Sequence, residues 1–249
     1  VSNLAARMRA QAALAERLAG DRRREDFREA LLSSISHDLR SPITAIRTGL
    51  ETLVCEPGKT AALAEVRSET ARLERMVTNL LAMTRIEAGA PAATGDVLDL
   101  TDTVASVIDA LPPGQQEGIA ISLPDDLPLV RGDPHMLHHM LLNMVDNALC
   151  HGGARNVAIS ARRDGSTLLI SVSDRGPGIP AGQEQDIFAR FHRSAGTTGS
   201  GLGLAIVRGF GNAMGLTVAA ENRADGPGAC FTVRFPKRLL VTSPGAGAK

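Results

Sequence analysis

The sequence predicts a multidomain chain: an all-α helical hairpin that completes itself as a dimeric four-helix bundle, followed by an α/β sandwich. Three observations lead there. Apolar residues recur at steps of three and four from Phe27 to Thr84, the period stops around "GAPAATGD", and short alternating runs interleaved with helical stretches follow. At 249 residues the chain has room for two ordinary domains with buried cores.

Residues 1–25 form an expected helical lead-in, a signal-transmitting coil. Leu4 to Leu18 is rich in alanine, leucine and arginine and runs past Gly20 into "DRRREDFREA". Residues 26–90 are the expected hairpin. Phe27, Leu31, Ile35, Leu39, Ile43, Ile46, Leu50 and Leu53 lay one apolar stripe along a helix of about 40 Å at 1.5 Å per residue. "CEPGKT" turns the chain, and Leu63, Val66, Thr70, Leu73, Val77, Leu80 and Thr84 supply the heptad seam of the return helix. One hairpin cannot cover its own stripe, so a homodimer is expected.

Residues 91–238 form the expected second domain and 239–249 a flexible tail. "VLDL", "IAISL" and "LPLV" read as strands, with a helix from about Thr101 to Ala110 between the first two. Pro134 opens a helix to about Cys150. "VAISARRDGSTLLISVSD" is a hairpin about Asp164 and Gly165. A helix after Gly201 and strands in "LTVAAEN" and "ACFTVRF" complete a mixed sheet with its helices on one face.

Composition narrows the function. Lys plus Arg equals Asp plus Glu at 27 each, so no global basic field attracts nucleic acid, and phosphate binding must be local. Hydrophobic residues at 43% exclude a disordered chain. Cys55, Cys150 and Cys230 form no CxxC pair, which points to reduced thiols in the cytoplasm and to no structural zinc. No apolar run reaches the length of a membrane span and no secretory signal is visible. The chain starts at Val1 without a methionine, so it reads as a fragment that an upstream membrane sensor can precede, the cytoplasmic part of an inner-membrane protein.

Several stretches carry chemistry. Asn143 and Asn147 project from one helix face, either as a polar stripe or as neutral oxygen ligands suited to Mg²⁺. In "SDRGPGIP", Asp174 ends a strand as an acceptor for an exocyclic amine, while Gly176 and Gly178 let backbone approach a flat ring; a plain turn reads the same way. "GTTGSGLGLAIVRGF" puts Gly199, Gly201 and Gly203 at the mouth of a helix, where free N–H groups cradle phosphate. It is not GxGxxG after a first strand, and "PGKT" has Leu53 where a Walker loop needs glycine. Phe188 and Phe191 read as packing residues, with Arg190 and Arg193 beside them as partners for a triphosphate. His135 and His139 share a face, but no Glu follows His135 and no third ligand is evident, which argues against zinc.

In this order the motifs resemble the sensor histidine kinases of two-component systems. "SISHDLRSP" is similar to their phosphoacceptor box, "LLNMVDNALCHG" to the asparagine box, "SDRGPGIP" and "GSGLGLAIVRG" to the two glycine boxes, and "IFARFHR" to the phenylalanine box. The second domain resembles the Bergerat or GHKL ATPase fold shared with gyrase, the Hsp90 chaperones and the mismatch-repair ATPases. "PAGQEQDIFARF" and "ADGPGACFTVRFP" look closest to the potassium-responsive sensor kinases. The resemblance implies ATP and Mg²⁺ as cofactors, autophosphorylation of His37, and a response-regulator receiver domain as the partner whose aspartate takes the phosphoryl group.

It further implies that Asn143 and Asn147 hold Mg²⁺ and phosphates, and that Asp174, Gly176 and Gly178 hold adenine. Arg193 reaches the triphosphate, and His192 to Thr198 form a lid, with Gly199, Gly201, Leu202 and Gly203 as hinge and phosphate contacts. His37 is two residues from Leu39, about 200° around the helix, so it faces away from the stripe. By the same resemblance Asp38 accepts its Nδ1 proton and leaves Nε2 to attack. Pro42 cannot donate to the Asp38 carbonyl and loosens the helix there.

Two departures matter. Cys150 stands where the asparagine box usually has lysine, leaving His151 as the substitute, and Ser41 stands where such kinases carry Thr or Asn to orient a hydrolytic water. The alternatives are a degenerate kinase acting as a dimeric scaffold or response-regulator phosphatase, and an ATP-driven conformational machine. The second has no need of an exposed histidine on a hairpin.

Overall fold

A computed structural model of the chain describes residues 42–50, 60–87, 95–153, 156–192 and 201–241. The lead-in, His37, Asp38, Ser41 and the turn at Pro57 and Gly58 lie outside the described residues. Internal contacts divide the chain into two compact units, Val1–Met76 and Val77–Lys249.

The described part of the hairpin comprises helix α1 (residues 42–50) and helix α2 (Thr60–Glu87), which runs from the first unit into the second. Pro42 is the first described residue of α1. Ile43 and Leu50 of the expected stripe are 54% and 50% exposed, and Leu63 and Val77 of the seam are 42% and 48% exposed. The seam threonines turn back on their own helix, Thr70 Oγ1 donating to the Val66 carbonyl and Thr84 Oγ1 to that of Leu81. Among the described residues no helix is long and apolar enough to cross a membrane.

The second unit has two sheets where one was expected. Strands β1 (Asp96–Leu98), β3 (Leu129–Gly132) and β8 (Leu240–Val241) form a small sheet in the order β1-β3-β8. β8 falls inside the tail expected from residue 239; pairing of Leu240 with Val130 orders it. The main sheet has the order β2-β4-β5-β7-β6, from β2 (Ile119–Ser122), β4 (Val157–Asp164), β5 (Thr167–Ser173), β6 (Thr217–Asn222) and β7 (Ala229–Phe235). Only β2 and β4 run parallel, so the sheet is mixed as expected. The β4–β5 hairpin turns where Gly165, at φ +58, permits a left-handed backbone.

The cross-strand register puts Ile159, Val172 and Phe231 in one row and Ala161, Ile170 and Val233 in the next, all buried. The opposite face is polar, with Ser171 and Thr232 hydroxyls 2.9 Å apart. Helices α5 (Pro134–Gly152) and α6 (Gly203–Met214) cover the apolar face, and α3 (Leu100–Asp109) packs on α5. A one-turn helix, α4 (Pro113–Gln116), precedes β2 and was not expected. Asp99 caps α3 by accepting from the Thr101 N–H at 2.7 Å, and Asp133 caps α5 by accepting from Met136 at 3.0 Å with Pro134 behind it. The Asp133 cap fixes where α5 starts, and with it the angular position of both asparagines.

Candidate active site

Asn143 is 8% exposed in the middle of α5. Its Nδ2 donates to the His139 carbonyl at 2.8 Å and lies 3.4 Å from His139 Nδ1, so the amide nitrogen is turned toward its own helix. Its Oδ1 points the other way, toward the start of α6: a Cβ built on Gly203 would sit 2.9 Å from it. Oδ1 accepts nothing among the described residues, and Asn147, one turn on, is half-buried. Two neutral oxygens one turn apart fit a hard divalent cation that keeps most of its own waters.

The first turn of α6 begins beside this oxygen. Leu202, the residue before the helix, gives its first N–H groups no side-chain cap, so they remain donors for an anion. Leu202 itself is 1% exposed and acts as an apolar anchor for the helix mouth.

At the other end of α5, Gly152 abuts Asp174, and a Cβ there would lie 2.7 Å from the Asp174 Cβ. Nine residues of helix separate Asn143 from Gly152, about 13 Å along the axis. Asp174 is 1% exposed. Its Oδ1 accepts from Gly176 N–H at 2.7 Å and Ala229 N–H at 3.3 Å, while Oδ2 accepts nothing among the described residues. A buried carboxylate with one oxygen left over is built to receive a donor from outside the chain.

Gly176 and Gly178 meet protein on the side where a Cβ would project. That atom would lie 2.5 Å from the His151 carbonyl oxygen at Gly176, and 2.6 Å from Asn222 Oδ1 at Gly178, whose φ is +80. The fold itself therefore requires both glycines, beyond any approach to a flat ring. His151 is half-buried and touches Gly176 through its backbone. Cys150 is an exposed free thiol.

Phe188 is buried edge-on against Phe231, with ring centroids 6.4 Å apart. Arg208 of α6 stacks over Phe188 at 4.3 Å and donates to Gln185 Oε1 at 2.7 Å, tying this segment to α6. Sequence reasoning missed Arg208, whose only signal is its place two turns into a helix. Phe191 holds a left-handed backbone at φ +60 and donates its N–H to the Gly201 carbonyl at 3.0 Å. Arg193, Thr198 and Gly199 of the expected lid lie outside the described residues.

The expected histidine row lines α5. His138 Nδ1 is 3.3 Å from Ser106 Oγ on α3, and His139 stands edge-on to Phe210 of α6, 6.3 Å between ring centroids. Burial lowers the pKa of both; His135 lowers that of His138 further, and His138, Arg85 and His135 do so for His139. In the unfolded chain these imidazoles take a proton first, near the ordinary 6.5. Their contribution to stability is therefore whole above that pH and is lost as pH falls below it. A thermal-unfolding midpoint that drops between about pH 7 and pH 5.5, with a slope flattened in a His138→Gln, His139→Gln double variant, is the expected result.

Residues 27–89 match the His Kinase A (phospho-acceptor) domain family, and residues 132–239 match the histidine kinase-, DNA gyrase B-, and HSP90-like ATPase family; together they cover more than half of the chain. Sensor protein KdpD of Escherichia coli is 38% identical over 224 residues, 86% of this chain and 25% of that protein. Signal transduction histidine-protein kinase AfsQ2 of Streptomyces coelicolor is 34% identical over 248 residues, 90% of this chain and 44% of that protein. The chain thus spans less than half the length of these curated relatives. Among solved structures, full-length ShkA in complex with AMPPNP is similar at a TM-score of 0.61 and 26% identity, over 86% of this chain and 46% of that one. With both domains present in the order the motifs implied, the chain belongs to the sensor histidine kinases of two-component systems.

Proposed function

We propose that this chain is the catalytic core of an ATP-dependent protein-histidine kinase, with a phosphoacceptor hairpin over residues 26–90 and an ATP-binding domain from residue 91 to Val241. The observation that carries this reading is the pair of buried side chains with an unused oxygen: Asn143 on α5, and Asp174 against Gly152, nine positions and about 13 Å further along that helix. That span suits a base at one end, phosphates at the other and a sugar between. Asp174 Oδ2 accepts from the exocyclic amine of adenine. The uncapped N–H groups at Gly203 and Leu204 receive phosphate oxygens.

Asn143 and Asn147 would hold Mg²⁺, which when bound supplies charge neutralisation on the phosphate chain. Neutral His37 attacks the γ-phosphorus through Nε2 while Asp38 keeps the Nδ1 proton; the P–N bond forms, the bond to the bridging oxygen breaks, and ADP leaves. The phosphoryl group then passes to an aspartate of a response-regulator receiver domain. Arg193 and the 192–198 segment close over the triphosphate, and the Phe191–Gly201 hydrogen bond supports a lid whose two ends are held together. The exposed Ile43, Leu50 and Leu63 support a homodimer in which a second copy covers the stripe. The core works on the cytoplasmic side, where ATP is supplied, beneath a sensor segment of the longer protein.

The test is incubation with γ-labelled ATP and Mg²⁺. Acid-labile label on the chain that vanishes in His37→Ala is expected. Nucleotide binding with no label on the wild-type chain would instead assign it to the scaffold or phosphatase reading.

A further inference from the structure

We infer that Asn222, a surface residue outside all five motifs, is a positioning residue that sets the preference for adenine over guanine. The inference rests on the reading of Asp174 as the adenine acceptor. Asn222 ends β6 and reaches across to the loop after Asp174: the Ile179 N–H donates to its Oδ1 at 2.6 Å, and its Nδ2 donates to the Ile179 carbonyl at 2.8 Å. One carboxamide thus pairs with both backbone groups of one residue, as a neighbouring strand would. Asp lacks the donor, Ser and Thr are too short for both bonds, and Ala and Leu offer neither.

The clamp holds one end of a short arch. At the other end, Asp174 is fixed by Gly176, Ala229 and the close approach of Gly152. Gly178 lies between, and its missing Cβ makes the room that the Asn222 amide occupies. The platform under the clamp is also closed, since Arg223 donates its N–H to the Gly228 carbonyl at 3.0 Å and its guanidinium pairs with Asp225. A hydrogen bond from adenine to Asp174 Oδ2 holds only over a few tenths of an ångström, so an arch released at Ile179 loses it first. Guanine presents a carbonyl at that edge and has no such bond to lose.

Titration calorimetry on the full 249-residue chain with Mg²⁺ and non-hydrolysable ATP or GTP analogues separates the outcomes. Asn222→Ala and Asn222→Asp are each expected to lower affinity for the ATP analogue by about tenfold and to leave the GTP analogue unchanged, so the preference falls by the same factor. Autophosphorylation should show the loss in KM, with kcat at saturating ATP within about twofold of wild type. A wild-type chain that binds both analogues equally would overturn the Asp174 reading itself. A wild-type preference retained in both variants would overturn the role of Asn222 alone. Unfolding of both variants would also overturn it, because Asn222 would then serve stability and not selectivity.

Discussion

Gly228→Ala is expected to destabilise the second unit by about 3–5 kcal/mol, combining left-handed backbone strain with forced overpacking. Gly228 has φ +116, and a Cβ there would run into the Asp174 carbonyl, with the Arg175 Cα 2.8 Å away. All these neighbours are backbone, so no side chain can swing aside. The residues that would have to move are the ones that hold Asp174: its N–H donates to the Ala229 carbonyl at 2.9 Å, and Ala229 donates back to Oδ1. Domains of this size are stable by only about 5–15 kcal/mol. A large fall in the thermal midpoint with loss of nucleotide binding is therefore the predicted outcome. Gly226→Ala is the control, because a Cβ at Gly226 meets nothing within 4 Å. It keeps the backbone strain at φ +147 and omits the collision, so equal destabilisation of the two variants would refute the steric argument.

Asp174→Asn is expected to weaken ATP binding by about 10- to 100-fold, the worth of a charge-assisted hydrogen bond turned into a donor–donor clash. The substitution keeps an oxygen for Gly176 and Ala229, so the loop should survive and the unfolding midpoint should move by only a few degrees. What changes is the second position, where an amide N–H would face the adenine amine. Measured affinity within about twofold of wild type would mean that Oδ2 does not meet the base. Asp174→Ala is a poorer test, since it also leaves two buried N–H groups unsatisfied.

Helices α3, α5 and α6 and the β4–β5 hairpin were legible in the sequence because their signals are local, whereas the single turn of α4 was not. Pro134 marks the start of α5 and Gly165 turns the hairpin. The separation into two sheets was not legible, because β1, β3 and β8 are each two to four residues long and β8 returns to β3 from about 110 positions away. Asn143, Asn147 and Asp174 could be singled out in the sequence, because four-residue spacing puts the asparagines on one helix face and Asp174 follows an alternating strand. Asn222 and Arg208 could not. An asparagine before a turn and an arginine on a helix are ordinary in isolation, and only the packing of β6 beside the Ile179 segment, or of α6 beside Phe188, gives them work.

The placement of β3 between β1 and β8 bears on how the domain is made. Synthesis proceeds from the first strand to the last, yet β3 gains its second neighbour only when Leu240 and Val241 emerge. Until then one flank of β3 offers unpaired backbone groups to any passing strand. A ribosome-bound chain stalled short of Val241 is thus a natural client for chaperones, and deleting Leu240 and Val241 would harm solubility more than the loss of two residues suggests.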